Sequence, residues 1–310
     1  MPDATASMPV AASRLIGQSA GVRSIYRVVA ADEAENIFAD KWGCDNAQAV
    51  SGNMTHAILA CRISGSATVS RRSAGSLTRR RPTIGSVTYL DPHASTQWCS
   101  DGYSETCHVY LPVGKLERFA QAEFGIATPP RIRPLFAAED PWLKGYFQML
   151  ASEFELLPAD HKRADSLFIE QAEHLVIYHL LRCHADGSPV SRSVERHARC
   201  RPNPLPSAAL RHVEDYIAVH MASDIQLADL ASVACMSVGH FLRGFRAASG
   251  TTPHQYVLEQ RLSKARRLLR ETSLPIARIA VDCGFKTPSH LSAKFRGHFG
   301  ASPSQYRSSS

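Results

Sequence analysis

Apolar positions along the chain change their period once. Between residues 14 and 112 they fall in short runs, at 24–30, 55–60, 67–70, 86–90 and 106–111, most of them enriched in β-branched or aromatic side chains, with Gly, Asn, Asp or Ser at the breaks. This pattern predicts strands, with hairpins about Gly75 (between 67–70 and 77–80) and Gly102 (between 96–100 and 104–110). Many short strands at such spacing predict a sandwich or small barrel. After Gly114 the period is helical. A short helix is expected over 115–123. A longer one follows over 140–157, with Leu143, Phe147, Leu150 and Phe154 on one stripe, and another over 165–183, with Phe168, Ala172, Leu175, Val176, His179 and Cys183 on a broad apolar face. The two long helices, joined by a Pro-Ala-Asp-His turn, predict a helical hairpin that covers the barrel or forms a homodimer interface. His179 is read as a satisfied interface residue rather than a ligand. Residues 186–206, with Pro202, Pro204 and Pro206 clustered, predict a semi-extended linker.

The last hundred residues carry one pattern twice. His240, Phe241, Phe245, Arg246, Gly250, Pro253, Gln255 and Tyr256 recur fifty residues later as His290, Leu291, Phe295, Arg296, Gly300, Pro303, Gln305 and Tyr306. Upstream the match continues at an offset of 49, Leu230-Ala231 against Ile279-Ala280, so one residue has been added in the turn of the second copy. Each copy reads as two helices about a tight turn. In the first, Asp224 is the expected N-cap before Ile225, Leu227, Leu230 and Ala234; Ser237 caps the next helix, whose stripe is Val238, Phe241, Phe245 and Ala248. In the second, Pro275 opens a helix with Ile276, Ile279 and Ala280, and Gly284-Phe285 makes the turn. Gly250 and Gly300, each followed by a proline, end the second helix of each pair. Helix, short turn, helix is the helix-turn-helix plan.

Opposite the apolar stripes lie the candidate DNA-contacting residues. In the first copy these are Ser237, Gly239, His240, Leu242, Arg243 and Arg246; in the second, Lys286, Thr287, Ser289, His290, Ser292, Ala293, Lys294 and Arg296. Positions three, four and seven apart project together. A small residue at the helix start lets backbone approach a groove, and arginine further along reaches base edges or phosphate. A single such face fits ordinary solvated surface as well as DNA contact; two with matching apolar and basic positions point to DNA.

Residues from about 210 to 307 resemble the DNA-binding domain of AraC/XylS-type transcriptional regulators. The resemblance rests on L-A-D-L-A, F-L-R-G-F-R, G-T-T-P-H-Q-Y, R-L-x-x-A-R-x-L-L, I-A-R-I-A-x-D-C-G-F, S-H-L-S-A-K-F-R and G-A-S-P-S-Q-Y-R. It implies two helix-turn-helix units joined by a long helix, here about 253–271, with Leu258, Leu262, Ala265 and Leu269 toward the core. Leu291 stands where the family usually has Phe, and Ala293 where it often has Arg. More weakly, the strands before it resemble the cupin-like sensing domain of those regulators. The resemblance also implies RNA polymerase as a partner and an activating role.

Composition narrows the remainder. A chain of 310 residues with 44% hydrophobic content suits two globular domains. The basic excess is localised: from Ser207 onward there are 13 Lys and Arg against 7 Asp and Glu, and before it 22 against 21. Phosphate neutralisation requires such a distribution. The eight cysteines, Cys44, Cys61, Cys99, Cys107, Cys183, Cys200, Cys235 and Cys283, include no C-x-x-C pair, which argues for reduced thiols in the cytoplasm. No apolar run is long enough for a membrane span. Arg71, Arg72, Arg79, Arg80 and Arg81 flank the 73–76 turn; the default is a solvated hairpin, the alternatives an anionic effector or the DNA-binding domain. Trp98 and Tyr103 are read as core in preference to pocket wall. His56, His93 and His108 are isolated, and His108 should point away from Cys107 on its strand, so no metal, cofactor or catalytic residue is expected.

The sequence thus predicts a mixed α and β chain in four parts. These are a disordered lead-in (1–13), a cupin-like sensing and dimerising domain with a helical hairpin (14–185), a linker (186–206) and an all-α DNA-binding domain (207–310). The expected function is a cytoplasmic, homodimeric regulator that binds double-stranded DNA and answers to a small-molecule effector. The alternatives are a cupin-type enzyme fused to a DNA-binding domain, or a regulator whose first domain only dimerises.

Overall fold

A computed structural model describes residues 12–29, 37–126, 131–157, 164–186 and 203–308. The chain divides into two compact units, Met1–Ser152 with Val176–Val194, and Glu153–Leu175 with Glu195–Ser310.

The first unit is built on a curled antiparallel sheet, a half-barrel. Its strands are β1 (Ala20–Val29), β2 (Ile37–Ser51), β3 (His56–Gly65), β4 (Thr68–Ser73), β5 (Ser76–Arg80), β6 (Val87–Leu90), β7 (Thr96–Asp101) and β8 (Tyr103–Pro112). They lie in the order β5-β4-β7-β2-β8-β3-β6, with β1 on β2. The expected turn at Gly75 is a hairpin, with Ser73 opposite Ser76. Gly102 is not one. β7 and β8 run in line along one edge of β2, which pairs with β8 over 39–45 and with β7 over 48–51, while β1 takes its other edge. The switch between partners falls at Asn46, held at φ 45°. Its side-chain oxygen accepts from Gly102 N at 2.9 Å, so Gly102, at φ 96°, turns a corner against the bend of β2.

The inner face of the sheet packs Trp42, Ile58, Leu90 and Tyr110 with Ala12 and Ile16. The last two belong to α1 (Ala12–Gly17), so ordered, buried structure begins inside the stretch expected as a lead-in; residues 1–11 lie outside the described residues. Trp42 Nε1 donates to the Tyr110 hydroxyl at 3.1 Å, which donates to Asp40 at 3.3 Å, satisfying polar atoms that burial would otherwise penalise. Tyr103, expected in the core, is 41% exposed.

The helices after Gly114 fall where the period placed them: α2 (Lys115–Phe124), α3 (Pro141–Glu155) and α4 (Ser166–Cys183). Val176 and Leu180 on α4 are fully buried within the chain itself. Two short strands, β9 (Arg131–Ile132) and β10 (Ala185–Asp186), pair with each other.

The second unit carries α5 (Ser207–His220), α6 (Leu227–Val233), α7 (Val238–Ser249), α8 (Pro253–Glu271), α9 (Ile276–Asp282), α10 (Pro288–Phe299) and α11 (Pro303–Ser308). Most of the linker prediction, 187–202, lies outside the described residues. The duplication is exact in backbone terms. Ser237 and Thr287 cap α7 and α10, each hydroxyl accepting from the backbone N–H three residues on. Gly250 and Gly300 end them at φ 77° and 76°. In the preceding turns Met236 N donates to Ala231 O and Phe285 N to Ala280 O. The added residue of the second copy is therefore Lys286, between Phe285 and the cap. Two apolar clusters result, one around Phe241 and Phe245, the other around Leu291 and Phe295. The joining helix α8 spans the residues expected of it and feeds both, with Val257 in the first and Leu262, Ala265 and Leu269 in the second. Asp224 is not an N-cap: Gln226 occupies that position, and the Asp224 carboxylate accepts from the Ser166 hydroxyl at 2.7 Å.

Candidate nucleic-acid interface

On α7, His240 and Arg246 are exposed, Leu242 and Arg243 half-buried, and Gly239 buried. On α10, Ser289 and Arg296 are exposed, and Ser292 and Ala293 half-buried. Arg246 and Arg296 occupy equivalent positions, one turn before the C-terminal glycine, and neither has an acceptor among the described residues. Ser237 and Thr287 spend their hydroxyls on the helix caps, and the Ser237 hydroxyl also meets His240 Nδ1 at 3.3 Å. Arg243 lies near His174, whose pKa falls to about 4, first through burial and then through that guanidinium.

Three basic candidates of the second copy have partners in 153–164 of the same unit, His290 and Lys294 half-buried and Lys286 exposed. Lys294 pairs with Glu153, His290 Nε2 lies 3.9 Å from the same carboxylate, and Lys286 Nζ donates to the Ala164 carbonyl at 2.9 Å. His290 and Lys294 thus share a flank of α10, one turn apart, while Ser289, Ser292, Ala293 and Arg296 make the adjoining face. Burial pushes the His290 pKa down to about 4, so its ring is neutral near pH 7.

Sequence reasoning missed the groups that hold this unit together from 153–175. Arg261 is 6% exposed and donates to Asp165 at 2.6 Å, Met221 O at 2.9 Å and Ser223 O at 3.0 Å. Glu170 accepts from the first N–H of α6, and Leu167 is buried in the cluster of the first copy. An arginine at a core-facing position of α8, between Val257 and Ala265, was the available signal.

In the first unit, the sheet encloses a cavity of about 140 Å³. That is below the roughly 300 Å³ of a drug-sized site, and close to the volume that accepts benzene. Trp98 is a wall of it, with its Nε1 donating to Ser51 at 2.9 Å. His108 and Cys99 line it as well; Cys107 does not. Of the Arg cluster, Arg71 lies 5.0 Å over the Phe136 ring and Arg79 pairs with Asp101, while Arg72, Arg79, Arg80 and Arg81 are exposed. Among the described residues, one group has metal-ligand geometry: Asp140, His179 and His184, with ligand atoms within 4.8 Å of one another. Both imidazole Nε2 atoms meet Asp140 Oδ2, at 2.8 and 2.7 Å, and protons on those nitrogens satisfy the arrangement.

Two capped, glycine-terminated helix pairs joined by one helix define a double helix-turn-helix protein. Residues 230–309 match the family described as "Helix-turn-helix domain". The chain is similar to the probable transcriptional regulator LumQ of Photobacterium leiognathi, at 33% identity over 41% of this chain and 55% of that protein. It is similar to the regulator CdhR of Pseudomonas aeruginosa, at 46% over 21% and 19%, and to the transcriptional activator RhaS of Escherichia fergusonii, at 29% over 52% and 64%. It therefore spans less than two thirds of the length of each of these relatives. Its C-terminal domain is of the AraC/XylS type.

Proposed function

We propose that this chain is a sequence-specific transcriptional regulator that binds double-stranded DNA through α7 and α10. The observation that carries this is the pairing of Arg246 with Arg296, exposed at equivalent points of two helices that share caps, termini and turns. A joining helix of 19 residues is about 28 Å long. The repeat of B-DNA is about 34 Å, so two reading helices set apart on this scale suit successive major grooves. Relatives described as activators support an activating role, and RNA polymerase is the partner that such a role implies. The first unit, in this reading a cupin-like domain, supplies effector sensing, homodimer formation or both, and the site of action is the cytoplasm. The DNA face proper is Gly239, His240, Leu242, Arg243 and Arg246 with Ser289, Ser292, Ala293 and Arg296; Lys286, His290 and Lys294 flank it.

The test is fluorescence anisotropy of the whole protein on duplexes selected from random DNA, across a salt series. Affinity should fall steeply with salt, and Arg246→Ala and Arg296→Ala should each weaken all duplexes similarly and lower the salt slope by about one. A folded protein without salt-dependent duplex affinity overturns the proposal.

A further inference from the structure

Arg62 lies on β3 in phase with Ile58 and Ala60, two residues apart, and so points with them into the half-barrel. It is 4% exposed, and among the described residues its Nε and Nη1 have no hydrogen-bond partner. A guanidinium stays protonated even when buried. It therefore brings a full positive charge into an interior where an unpaired charge is costly. Asp40, a buried carboxylate of the same sheet, is taken by Arg27 at 3.2 Å and by the Tyr110 hydroxyl at 3.3 Å. No Asp or Glu is among the described residues that line the cavity. Its walls are apolar where Ala49, Ala60, Leu90, Trp98 and Phe136 form them, with the Thr106 hydroxyl close to His108. His108 is neutral, its pKa held down to about 4 by burial. With the Thr106 hydroxyl donating to Nε2 at 3.2 Å, Nδ1–H is a second buried donor without an acceptor among the described residues.

Resting on the reading of the first unit as a sensing domain, we infer that this cavity binds a small organic monocarboxylate, its two oxygens on Arg62 and its apolar body against the wall that the touching rings of Trp98 and Phe136 form together. The planar guanidinium fork matches a carboxylate in bidentate fashion. One arginine neutralises one negative charge, and apolar walls leave a dianion such as phosphate short of donors. The cavity volume sets the body at about six carbon atoms.

The full chain is titrated by calorimetry and by thermal shift with cyclohexanecarboxylate and 3-methylbutanoate, and with the amides of both. The acids should bind at least about tenfold more tightly than the amides, the difference a charge-assisted pair makes. Arg62→Met should abolish acid binding and raise the melting temperature of the free protein, because it removes a buried unpaired charge without opening a void. A purely structural arginine would lower it. Arg62→Lys, keeping the charge without the fork, should retain acid binding more weakly. Acids and amides binding alike to wild type and Arg62→Met would sink the carboxylate assignment and leave a sensing cavity. No binding by any of the four probes would sink both, and acid binding intact in Arg62→Met would overturn the role of Arg62.

Discussion

At the scale of single residues, the two copies differ where an arginine in one faces an alanine in the other. In the proposed complex Arg243, mid-helix, meets a guanine edge, where a bidentate contact discriminates by about 1–3 kcal/mol. Ala293 offers only a methyl group, which suits thymine. Arg243→Ala should therefore relax preference at one or two base pairs, and Ala293→Arg should add one; binding-site selection on each variant reads this out. Unchanged selectivity in Arg243→Ala would show that the first copy reads bases by other groups. The turns differ in the same informative way. Cys235 and Gly284 are equivalent, at φ 52° and 77°. A side chain in this region costs about 1–2 kcal/mol, and a Cβ at Gly284 would lie 2.3 Å from Met221 O and 2.9 Å from Arg261 Nε. Gly284→Ala should cost about 2 kcal/mol or more in urea unfolding, while Cys235→Gly should be neutral or stabilising by up to about 1 kcal/mol.

At the scale of elements, the first half of α4 acts as part of the C-terminal unit. Leu167 is 1% exposed in the cluster of the first copy, and Asp165 is one of three acceptors for the buried Arg261. Truncating a leucine so buried costs about 2–5 kcal/mol, and a buried ion pair that loses one partner leaves the other uncompensated. A fragment of residues 207–310 should fold and bind DNA, yet unfold at a lower urea midpoint than 153–310. Equal midpoints would show that 153–175 adds nothing. The sequence showed only half of this, an arginine among the core-facing positions of α8; its partner Asp165 is 96 residues away. The double helix-turn-helix was legible for the opposite reason: its caps, apolar stripes and terminal glycines are local, and all occur twice. β2 shows the limit of local reading within the sheet. Asp40, Lys41, Gly43, Asp45 and Asn46 break any alternation, and only pairing with β1, β7 and β8, with Arg27 and Tyr110 taking up the buried Asp40, makes a strand of it. Arg62 lies beyond the 55–60 run and escapes that reading, although β3 extends to Gly65 and carries it in the phase of Ile58 and Ala60.

At the scale of the whole molecule, buried ionisable groups set how each unit answers acid. In the C-terminal unit, burial holds His174 and His290 down to about 4, and pushes His254 down as well. The unfolded chain binds those protons near pH 6.5. Between about 6.5 and 4 the unfolded state therefore carries more protons, so stability rises with pH, is complete above 6.5 and is lost as pH falls toward 4. Each pH unit within that window is worth about 1.4 kcal/mol for each of His174 and His290, against a total stability of typically about 5–15 kcal/mol. In the N-terminal unit, burial likewise holds His108 down to about 4, but it raises Asp40 to about 6 against the pull of Arg27. A raised carboxyl has the opposite sign: the native state holds the proton between 3.8 and 6, so Asp40 gains stability as pH falls while His108 loses it. The two nearly cancel. The 153–310 fragment should accordingly lose its urea midpoint steeply from pH 7 to 5. His290→Gln should flatten that loss by about one proton's worth. A C-terminal fragment equally stable at pH 7 and 5 would mean that these histidines are hydrated in solution and that residues 153–175 do not shield them.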